Sequence, residues 1–465
     1  MVLDEQRIAT IVAEVIKGIK TTAEPAGSDH GSGGIFQTVD AAIQAAAATQ
    51  RKLAAMSRAQ REVLISAIRA AGIAHTEFLA RKAHEATGFG RVEDKIQKNI
   101  NAARLSPGTE DLVSSVQADD SGQLITEYAP FGLIVSITPA THPTAMIINQ
   151  AIIFVAGGNA AFIAPHPRAQ AASLSALKII NEAVVQAGGP PNVLTAVAEG
   201  TMETVAAAMK HPLTQLVTAA GGPGVEKAAL EAGKKAIVAG PGNPPVIIDE
   251  TADIARAAKQ VIEGASFDNN ILCIAEKVIF IVDSVADAFL AAAVHEGGQL
   301  IDGNQAAAVT RLVVKEGRIN TEFVGKNADY ILKAAGIEPA AGVREVLFEA
   351  AADHPLVGLE QLMPVIPVVR VPDFQTAVTA AVGAEHGFRH TAMIHSGLAE
   401  RIHYFGRMID TTILVSNAPS FASLGIGGPG VFGHTIASSK TGEGVCTPKS
   451  FCRKRIHLNA AGRFI

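Results

Sequence analysis

The sequence has no tryptophan, three tyrosines and only three cysteines among its 465 residues. So few cysteines, and an odd number of them, argue against a disulfide framework and indicate a reducing compartment. The formal net charge of −5 leaves no basic footprint for nucleic acid. We therefore expect a protein of a reducing compartment that binds no nucleic acid.

Long hydrophobic runs are also missing. The most apolar stretch, from Met146 to Pro165, is interrupted by Asn149 and Asn159, where a membrane span would need apolar residues. The N-terminus lacks the basic, apolar and small-residue blocks of a secretion signal, because acidic residues come first. We therefore expect a soluble protein without a membrane partner.

Length and small residues predict a compact α/β protein. A chain of 465 residues, 48% of them hydrophobic, exceeds one ordinary core and predicts two or three domains. Residues 38–86 favour helices, and from Phe131 short apolar strands alternate with helices. Repeated βα units predict a parallel sheet covered on both faces, the usual platform for a nucleotide. A second α/β unit is predicted from about Pro245 to Phe432, with strands at Glu276–Val282, Arg311–Val314, Val365–Val371 and Thr391–His395.

Residues 1–20 predict an amphipathic helix. Its apolar positions follow the spacing i, i+3, i+4, i+7, i+8, i+11 from Ile8 to Ile19, which places them on one face. Residues 21–34, rich in Gly, Ser, Ala and Pro, have the composition of a flexible tether. A tethered helix with an apolar stripe can dock on a partner. The alternative is a first helix that folds back on its own domain.

Cys273 is the candidate nucleophile. It precedes an apolar run that predicts a strand, so its thiol would lie at the mouth of that strand, where it can meet a substrate. The other two cysteines, Cys446 and Cys452, lie in a basic C-terminal segment and are expected to be structural. Considered alone, Cys273 could also be a small buried hydrophobic residue.

Two further patterns bear on ligand binding. Val217–Gly224 joins a strand end to a helix start, and its glycines would let a pyrophosphate approach the helix N-terminus. It is not a GxGxxG fingerprint, and a plain Gly-rich turn has the same pattern. His386, His390 and His395 lack carboxylate or thiol companions at ligand spacing. We therefore expect no metal site.

Several motifs in a fixed order give the chain a family resemblance. They are Ser136–Thr144, Phe162–Pro167, Gly221–Gly224, Phe267–Cys273, Glu360–Pro364 and Glu385–Thr391. From Thr38 to the C-terminus the chain resembles the aldehyde dehydrogenase superfamily, and within it the CoA-acylating branch. The ordered set is specific, whereas each motif alone would not be.

The resemblance implies an aldehyde-dehydrogenase-like α/β fold. It implies a Rossmann-type domain for NAD and CoA at residues 35–115 and 131–240, and a catalytic domain at 241–432. A small oligomerisation element is implied at 116–130 and 433–465, with a dimer and a tetramer both open. Residues 1–20 resemble the encapsulation peptides by which such enzymes enter microcompartments of the bacterial cytoplasm, and 21–34 would be the linker. A shell or cargo protein would be the partner of residues 1–20.

Departures from the hydrolytic members of the superfamily indicate transfer to CoA. Those enzymes carry a glutamate that activates water, and Ala239 stands at its place. Without that base a thioester on Cys273 hydrolyses slowly, whereas a CoA thiol, more acidic than water, can attack as thiolate. The strand Ala160–Ala164 lacks the ribose-binding lysine of hydrolytic members. The oxyanion-hole asparagine of the family is replaced here. Thr141 stands at or beside its place, and His142 stands where the acylating branch usually has asparagine, so which of the two residues donates to the oxyanion stays open.

The resemblance implies oxidation of a short-chain aldehyde to acyl-CoA, with NAD and coenzyme A as cofactors. Cys273 would attack the aldehyde, and its backbone N–H with Thr141 or His142 would hold the oxyanion. Transthioesterification would release acyl-CoA in a ping-pong scheme. Glu360 would bind the nicotinamide ribose. The implied cofactor-binding residues are Thr138, Pro139, Ala164, Pro165, His166, Gly221, Gly222, Pro223, Gly240, Glu360 and Leu362.

Three alternatives stay open at this point. They are a hydrolytic aldehyde dehydrogenase that gives the free acid, an acyl-phosphate reductase that uses NADPH, and a non-catalytic microcompartment cargo or scaffold protein. Propanal is the first expected substrate and acetaldehyde the next. The two differ by one methylene, worth about 1 kcal/mol or slightly more in a pocket, and no residue decides between them. NAD is preferred to NADP, again without a deciding residue.

Overall fold

Helices and strands alternate through most of the chain. The computed structural model describes residues 32–438 and 440–460. The predicted helix at 1–20 and most of the predicted linker lie outside these residues. The helices are Val39–Ala55, Arg58–Ala74, Thr76–Thr87, Val92–Leu105, Pro143–Gly157, Gln170–Gln186, Met202–Lys210, Pro223–Leu230, Ile254–Ser266, Asp283–His295, Gly303–Val313, Ala328–Ala334, Pro355–Gly358, Phe374–Glu385 and Ala399–Ile409.

The strands form two large sheets and three small ones. Their bounds are β1 Ile35–Phe36, β2 Ser115–Asp119, β3 Gly122–Pro130, β4 Leu133–Thr138, β5 Ala160–Pro165, β6 Leu194–Val197, β7 Thr214–Ala220, β8 Lys235–Ala239, β9 Pro245–Ile248, β10 Val278–Val282, β11 Gly298–Leu300, β12 Val314–Lys315, β13 Arg318–Ile319, β14 Glu345–Glu349, β15 Val365–Val371, β16 Thr391–His395, β17 Ile413–Ser416, β18 Ile436–Ala437, β19 Gly444–Val445 and β20 Cys452–Asn459.

The first large sheet is parallel, with strand order β1-β6-β5-β4-β7-β8. From β4 the chain moves first to one side, through β5 and β6, and then to the other, through β7 and β8. Such a reversal leaves a crevice at the carboxyl ends of the strands, where open α/β sheets bind ligands. Every residue of β4 and of the helix Pro143–Gly157 is buried, so this edge stands on a rigid core.

The second large sheet is also parallel and carries the strand that follows Cys273. Its order is β11-β14-β15-β10-β9-β16-β17. Strands β9, β11, β14 and β17 of this sheet were not predicted from the sequence. The predicted α/β class, with parallel sheets covered by helices, is confirmed.

The predicted strand Arg311–Val314 is wrong. Arg311, Leu312 and Val313 close the helix Gly303–Val313, which begins with a capping box between Asp302 and Gln305, and Val314 begins the short strand β12. Its buried residues are Ala306, Val309 and Val313. That spacing is helical, so packing of one helix face decides the conformation over the strand preference of the final valines.

Residues 38–86, predicted to be helical, form three helices. Thr38 caps the first, because its side chain accepts a hydrogen bond from the Ala41 N–H. Ser57 and Gln60 form a capping box at the start of the second. The second and third helices meet at a bend of 66°. By length and composition alone, this bent pair could span a membrane. Within the described residues, no helix taken singly is long and apolar enough to span a membrane.

The small sheet β2-β3-β20 joins the C-terminal segment to an early hairpin. Residues 452–459 pair antiparallel with 123–130, and β20 is an edge strand of this sheet. Ile456 and Leu458 on that strand are exposed. The prediction that this tail is shared with another subunit stays a prediction.

Candidate active site

Cys273 lies in a turn between the helix Ile254–Ser266 and β10. The strand was predicted from Glu276 but begins at Val278, so Cys273 stands five positions before it. Three successive residues in this turn, Asp268, Asn269 and Asn270, have φ of 49°, 54° and 63°. Asn and Asp tolerate this left-handed region better than other side chains. The conformation of the turn therefore follows from its Asp-Asn-Asn sequence.

A buried ion cluster holds the start of the turn. The carboxylate of Asp268 accepts hydrogen bonds from the Arg91 backbone N–H at 2.8 Å, from Lys98 Nζ at 2.7 Å and from Lys95 Nζ at 3.1 Å. All three side chains of the ion cluster are buried. Lys98 Nζ also donates to the Thr141 carbonyl at 3.1 Å. One ammonium group thus ties the Cys273 turn to the loop after β4.

Lys277 holds the other side of the turn. Its buried ammonium donates to the carbonyls of Asn270 at 2.7 Å and of Leu272 at 3.2 Å. The Asn270 amide donates to the carbonyls of Ala265 and Glu276, both at 2.9 Å. Burial lowers the pKa of Lys277 to about 8. The main chain before Cys273 is therefore fixed by side chains that lie around it in the sequence.

The Cys273 thiol is protonated at neutral pH in the free protein. Burial, together with the nearby carboxylate of Glu360, raises the pKa of the thiol to about 12. Burial also raises the pKa of Glu360 to about 7, opposed by Lys277 and by a hydrogen bond with the Gly242 backbone. Reaction of the thiol therefore requires a change in this electrostatic environment.

A small cavity opens beside Cys273. It measures about 10 Å³ for the centre of a water-sized sphere, which is room for about one water molecule. Its lining contains two imidazoles but no carboxylate. The lining residues are His142, Leu272, Cys273, Ile274, Leu424, Gly433, His434 and Ile436.

Two histidines from distant parts of the chain stack in this cavity. The ring centroids of His142 and His434 are 4.8 Å apart with an interplanar angle of 19°. Burial, His434 and Lys98 all lower the pKa of His142. Burial and Lys98 lower the pKa of His434 to about 3. Both imidazoles are therefore neutral at pH 7.

Thr141 contacts His142 rather than lining the cavity. The Thr141 hydroxyl lies 3.0 Å from His142 Nδ1. Thr141 is partly exposed, whereas His142 is buried. Of the two oxyanion-hole residues left open by the sequence, His142 thus shares the cavity with Cys273, and Thr141 supports it.

The predicted cofactor residues of the first sheet gather at its carboxyl edge. Thr138 ends β4 and pairs with Pro165, which ends β5, so Pro139, Ala164 and His166 lie at the same edge. Gly221 and Gly222 follow β7 and are exposed, and Pro223 begins the next helix. Gly240 follows β8. The arrangement is that expected of a dinucleotide site.

Two features of this edge bear on ligand binding. The Thr138 hydroxyl is buried and has no hydrogen-bond partner among the described residues, although such groups are normally paired. A Cβ at Gly222 would meet nothing within 4 Å, so the helix start at Pro223 is open to an approaching pyrophosphate.

Glu360 and Leu362, the last two predicted cofactor residues, lie in the loop between the helix Pro355–Gly358 and β15. Glu360 lies close enough to Cys273 to raise the pKa of its thiol. Leu362 has a φ of 53° and packs in a cluster with Ala140, which follows β4. Both residues therefore lie beside the segments that carry the thiol and the first sheet's edge.

His390 was considered from the sequence only as a metal ligand. Its buried ring lies beside Gly242, whose ideal Cβ would be 3.0 Å from His390 Cγ and 2.9 Å from the Cys273 carbonyl. Nε2 of His390 is buried without a partner among the described residues, and burial lowers its pKa to about 4. The motif Glu385–Thr391 could have drawn attention to it.

His434 was missed altogether, because no local pattern connects it with His142. In the described part of the chain, no three His, Cys, Asp or Glu side chains are grouped to hold a metal ion.

The fold and the thiol site together define the class of protein. The chain belongs to the aldehyde dehydrogenase family, whose model matches residues 34–431. The family resemblance predicted from the motifs is thereby confirmed.

Individual relatives narrow this class to enzymes that acylate CoA. The chain is 40% identical to the acetylating acetaldehyde dehydrogenase EutE of Escherichia coli over 460 residues, which are 97% of this chain and 98% of that protein. It is similar to a propionaldehyde dehydrogenase from the Clostridium phytofermentans fucose utilisation bacterial microcompartment, with 43% identity, a TM-score of 0.91 and coverage of 93% and 99%. It is also similar to a Rhodopseudomonas palustris propionaldehyde dehydrogenase solved with bound CoA and an acylated cysteine, with 39% identity, a TM-score of 0.90 and coverage of 92% and 98%.

Proposed function

We propose that this protein is a CoA-acylating aldehyde dehydrogenase that oxidises a short-chain aldehyde to acyl-CoA, with NAD as hydride acceptor. The observation that carries the proposal is the pairing of Cys273 with His142 in a cavity whose lining has no carboxylate. Relatives at 39–43% identity act on acetaldehyde and propionaldehyde, and one was solved with CoA and an acylated cysteine.

Cys273 is the nucleophile of the first step. Its thiolate attacks the aldehyde carbon, and the carbonyl oxygen becomes an oxyanion. If the Thr141 hydroxyl donates to His142 Nδ1, the neutral ring carries its proton on Nε2. That N–H can donate to the oxyanion together with the Cys273 backbone N–H. In this scheme Thr141 is a positioning residue and His142 the donor.

The edge of the first sheet would hold the nucleotide. The pyrophosphate would be bound by Gly221, Gly222 and the helix start at Pro223. The Thr138 hydroxyl would form a hydrogen bond with the nucleotide, and Glu360 would bind the ribose. When bound, NAD supplies a cationic ring that accepts the hydride. The dinucleotide residues Pro139, Ala164, Pro165, His166, Gly240 and Leu362 would line the same crevice.

Ala239 at the place of the water-activating glutamate, together with a cavity lining that has no carboxylate, would preserve the acyl group on Cys273. The nearby Glu360 is assigned to the ribose. Water is too weakly acidic to attack a thioester quickly without a base, whereas a thiol is more acidic and more nucleophilic. His390, a neutral imidazole beside the Cys273 main chain, is a candidate to accept the proton of the incoming CoA thiol. Attack of that sulfur on the thioester carbon expels the Cys273 thiolate and releases acyl-CoA.

The small cavity supports a short acyl chain. A space of about 10 Å³, lined by Leu272 and Ile274, has room for about one water-sized group. This favours a short aldehyde, and the relatives named propionaldehyde and acetaldehyde dehydrogenases support propanal as the first substrate and acetaldehyde as the second.

One experiment tests the reaction. Purified protein is given aldehydes of two to five carbons with NAD, with and without CoA, and both NADH and the products are measured. We expect CoA-dependent NADH formation, acyl-CoA as product and no activity in Cys273→Ala. Rapid formation of carboxylic acid without CoA would overturn the proposal in favour of a hydrolytic enzyme, and equal cellular function of Cys273→Ala would favour a scaffold.

We propose further that residues 1–20 direct the enzyme into a bacterial microcompartment through a shell or cargo protein. The amphipathic pattern supports this, as does a similar structure from a microcompartment enzyme. Fusion of residues 1–20 to a fluorescent protein, expressed with shell proteins, should give co-purification with shells. The control fusion carries Ile11→Asp and Val15→Asp, and equal co-purification of both fusions would contradict the proposal.

A homo-oligomer, dimer or tetramer, is proposed through the sheet β2-β3-β20. Its exposed residues include Val116, Ile456 and Leu458, which a second copy would cover. Light scattering should give a mass of two or four chains, and Ile456→Asp with Leu458→Asp should lower it. A monomeric wild-type protein at micromolar concentration would contradict this assignment.

A further inference from the structure

His434 brings an unpartnered polar atom to the wall of the substrate cavity. The residue is 9% exposed, and its Nε2 has no hydrogen-bond partner among the described residues. Leaving such a group buried without a partner costs about 1–3 kcal/mol. A ligand group in the cavity that forms a hydrogen bond with His434 Nε2 would remove this cost.

The surroundings fix the orientation of the His434 ring. One face stacks on His142, and the Phe432 ring packs edge-on at 5.0 Å and 82°. The His434 backbone N–H lies 3.4 Å from the side-chain oxygen of Asn149, a residue of the fully buried helix Pro143–Gly157. An apolar side chain of similar shape would fill this position without the unpaired nitrogen.

The charge of the cavity decides what kind of group fits. Lys98 lowers the pKa of both histidines, so its positive potential reaches the cavity and disfavours an ammonium group on the substrate. A carboxylate on the substrate would have no cationic partner, because the lining has no positively charged side chain. Lys98 is already bound to Asp268 and to the Thr141 carbonyl. A neutral polar group is the remaining match.

A hydroxyl group meets this requirement in either tautomer of His434. It both donates and accepts one hydrogen bond, while neutral imidazole Nε2 does one or the other. The space beside Cys273 holds about one water-sized group, which is the size of a hydroxyl. If His142 holds the carbonyl oxygen as proposed, the His434 ring stacked on it at 4.8 Å would lie within reach of a substituent on the next carbon.

We propose that His434 is a specificity-determining residue that selects aldehydes with a hydroxyl group on the carbon next to the carbonyl. The inference rests on the proposed CoA-acylating activity and adds short 2-hydroxyaldehydes to its substrate class, as substrates preferred over the aldehydes that lack the hydroxyl. Propanal and acetaldehyde then serve as the matched substrates that lack the hydroxyl.

The test compares kcat/KM for 2-hydroxypropanal with propanal, and for glycolaldehyde with acetaldehyde, under CoA-dependent NADH formation. We expect the wild-type ratio to favour the hydroxylated member of each pair. His434→Phe should lower that ratio about tenfold, the value of one hydrogen bond to a buried polar group, by reducing activity on the hydroxylated substrate. His434→Gln, which keeps a donor and an acceptor, should recover part of the ratio.

Ile436→Val is the control, because it widens the same cavity without changing its polarity. It should change both members of a pair alike. A wild-type preference for propanal over 2-hydroxypropanal, or an unchanged ratio in His434→Phe, overturns the inference. If His434→Phe does not fold, His434→Gln is compared with the wild type, and a ratio that is the same in both overturns the inference. Loss of CoA-dependent activity on all four aldehydes would instead overturn the proposed function.

Discussion

Lys98 Nζ lies 2.7 Å from Asp268 Oδ2, and the same ammonium donates to the Thr141 carbonyl. This contact joins the turn that carries the Cys273 thiol to the loop that carries Thr141 and His142. Lys95 shares the same carboxylate oxygen at 3.1 Å. The relative position of Cys273 and His142 therefore depends on one buried carboxylate.

The first prediction concerns this carboxylate. Asp268→Asn keeps the left-handed backbone but leaves two buried ammonium groups without a counter-ion, which costs about 3–5 kcal/mol of unfolding free energy. Urea denaturation measures the change. Asp283→Asn, which removes an exposed partner of Arg370, is the control and should cost less than about 1 kcal/mol. Equal losses in the two variants would show that the buried cluster has no special weight.

The second prediction concerns the oxyanion donor. His142→Ala should lower kcat for propanal about 10²- to 10³-fold, because an oxyanion donor acts mainly in the transition state. His142→Asn, which supplies an amide N–H, should recover part of the loss. Thr141→Val should have a smaller effect, since the hydroxyl acts through the ring. A larger loss in Thr141→Val than in His142→Ala would assign the donor role to Thr141.

The third prediction concerns the thiol of Cys273 in the free enzyme. Because its pKa is raised to about 12, the thiolate fraction at pH 7 is very small and rises about tenfold per pH unit below the pKa. The rate of alkylation by iodoacetamide at Cys273, followed by peptide mass spectrometry, should rise in the same way from pH 7 to pH 10. A plateau below pH 9 would contradict the raised pKa.

The fourth prediction concerns Glu360. Its negative charge raises the pKa of the Cys273 thiol, so Glu360→Gln should speed alkylation of Cys273 in the free enzyme. The difference should be present above about pH 7, where Glu360 is ionised, and should vanish as the pH falls below that value. If Glu360 also binds the ribose, the same variant should raise the KM for NAD. An unchanged alkylation rate at pH 8 would show that the charge of Glu360 does not affect the pKa of the Cys273 thiol.

Much of the fold could be predicted from the sequence because local pattern and tertiary packing agree there. The strands from β4 to β8 are short, mostly apolar runs that end at, or within three residues of, a Gly or Pro. The pattern misled at Arg311–Val314, where all but Val314 belong to a helix whose buried positions are set by its packing. Single-sequence patterns do not contain such contacts.

The site was harder to predict than the fold. Cys273 and the loop Thr141–His142 stand out by their place in ordered motifs. His434 does not, because its contact with His142 joins positions almost 300 residues apart. The ion pair between Lys98 and Asp268 could not be predicted for the same reason. The sequence around a lysine in a helix does not show which distant carboxylate its ammonium group will contact.

The distance along the chain between Asp268 and its partners also bears on how the enzyme is made. The Arg91 N–H that binds the Asp268 carboxylate precedes it by 177 positions, and contacts between such remote positions form slowly, because a long loop must close first. A growing polypeptide thus exposes its thiol only in an unorganised setting, without the neighbouring donor. We therefore expect reactivity toward aldehydes only after residues 91–98 have packed against the turn at Asp268.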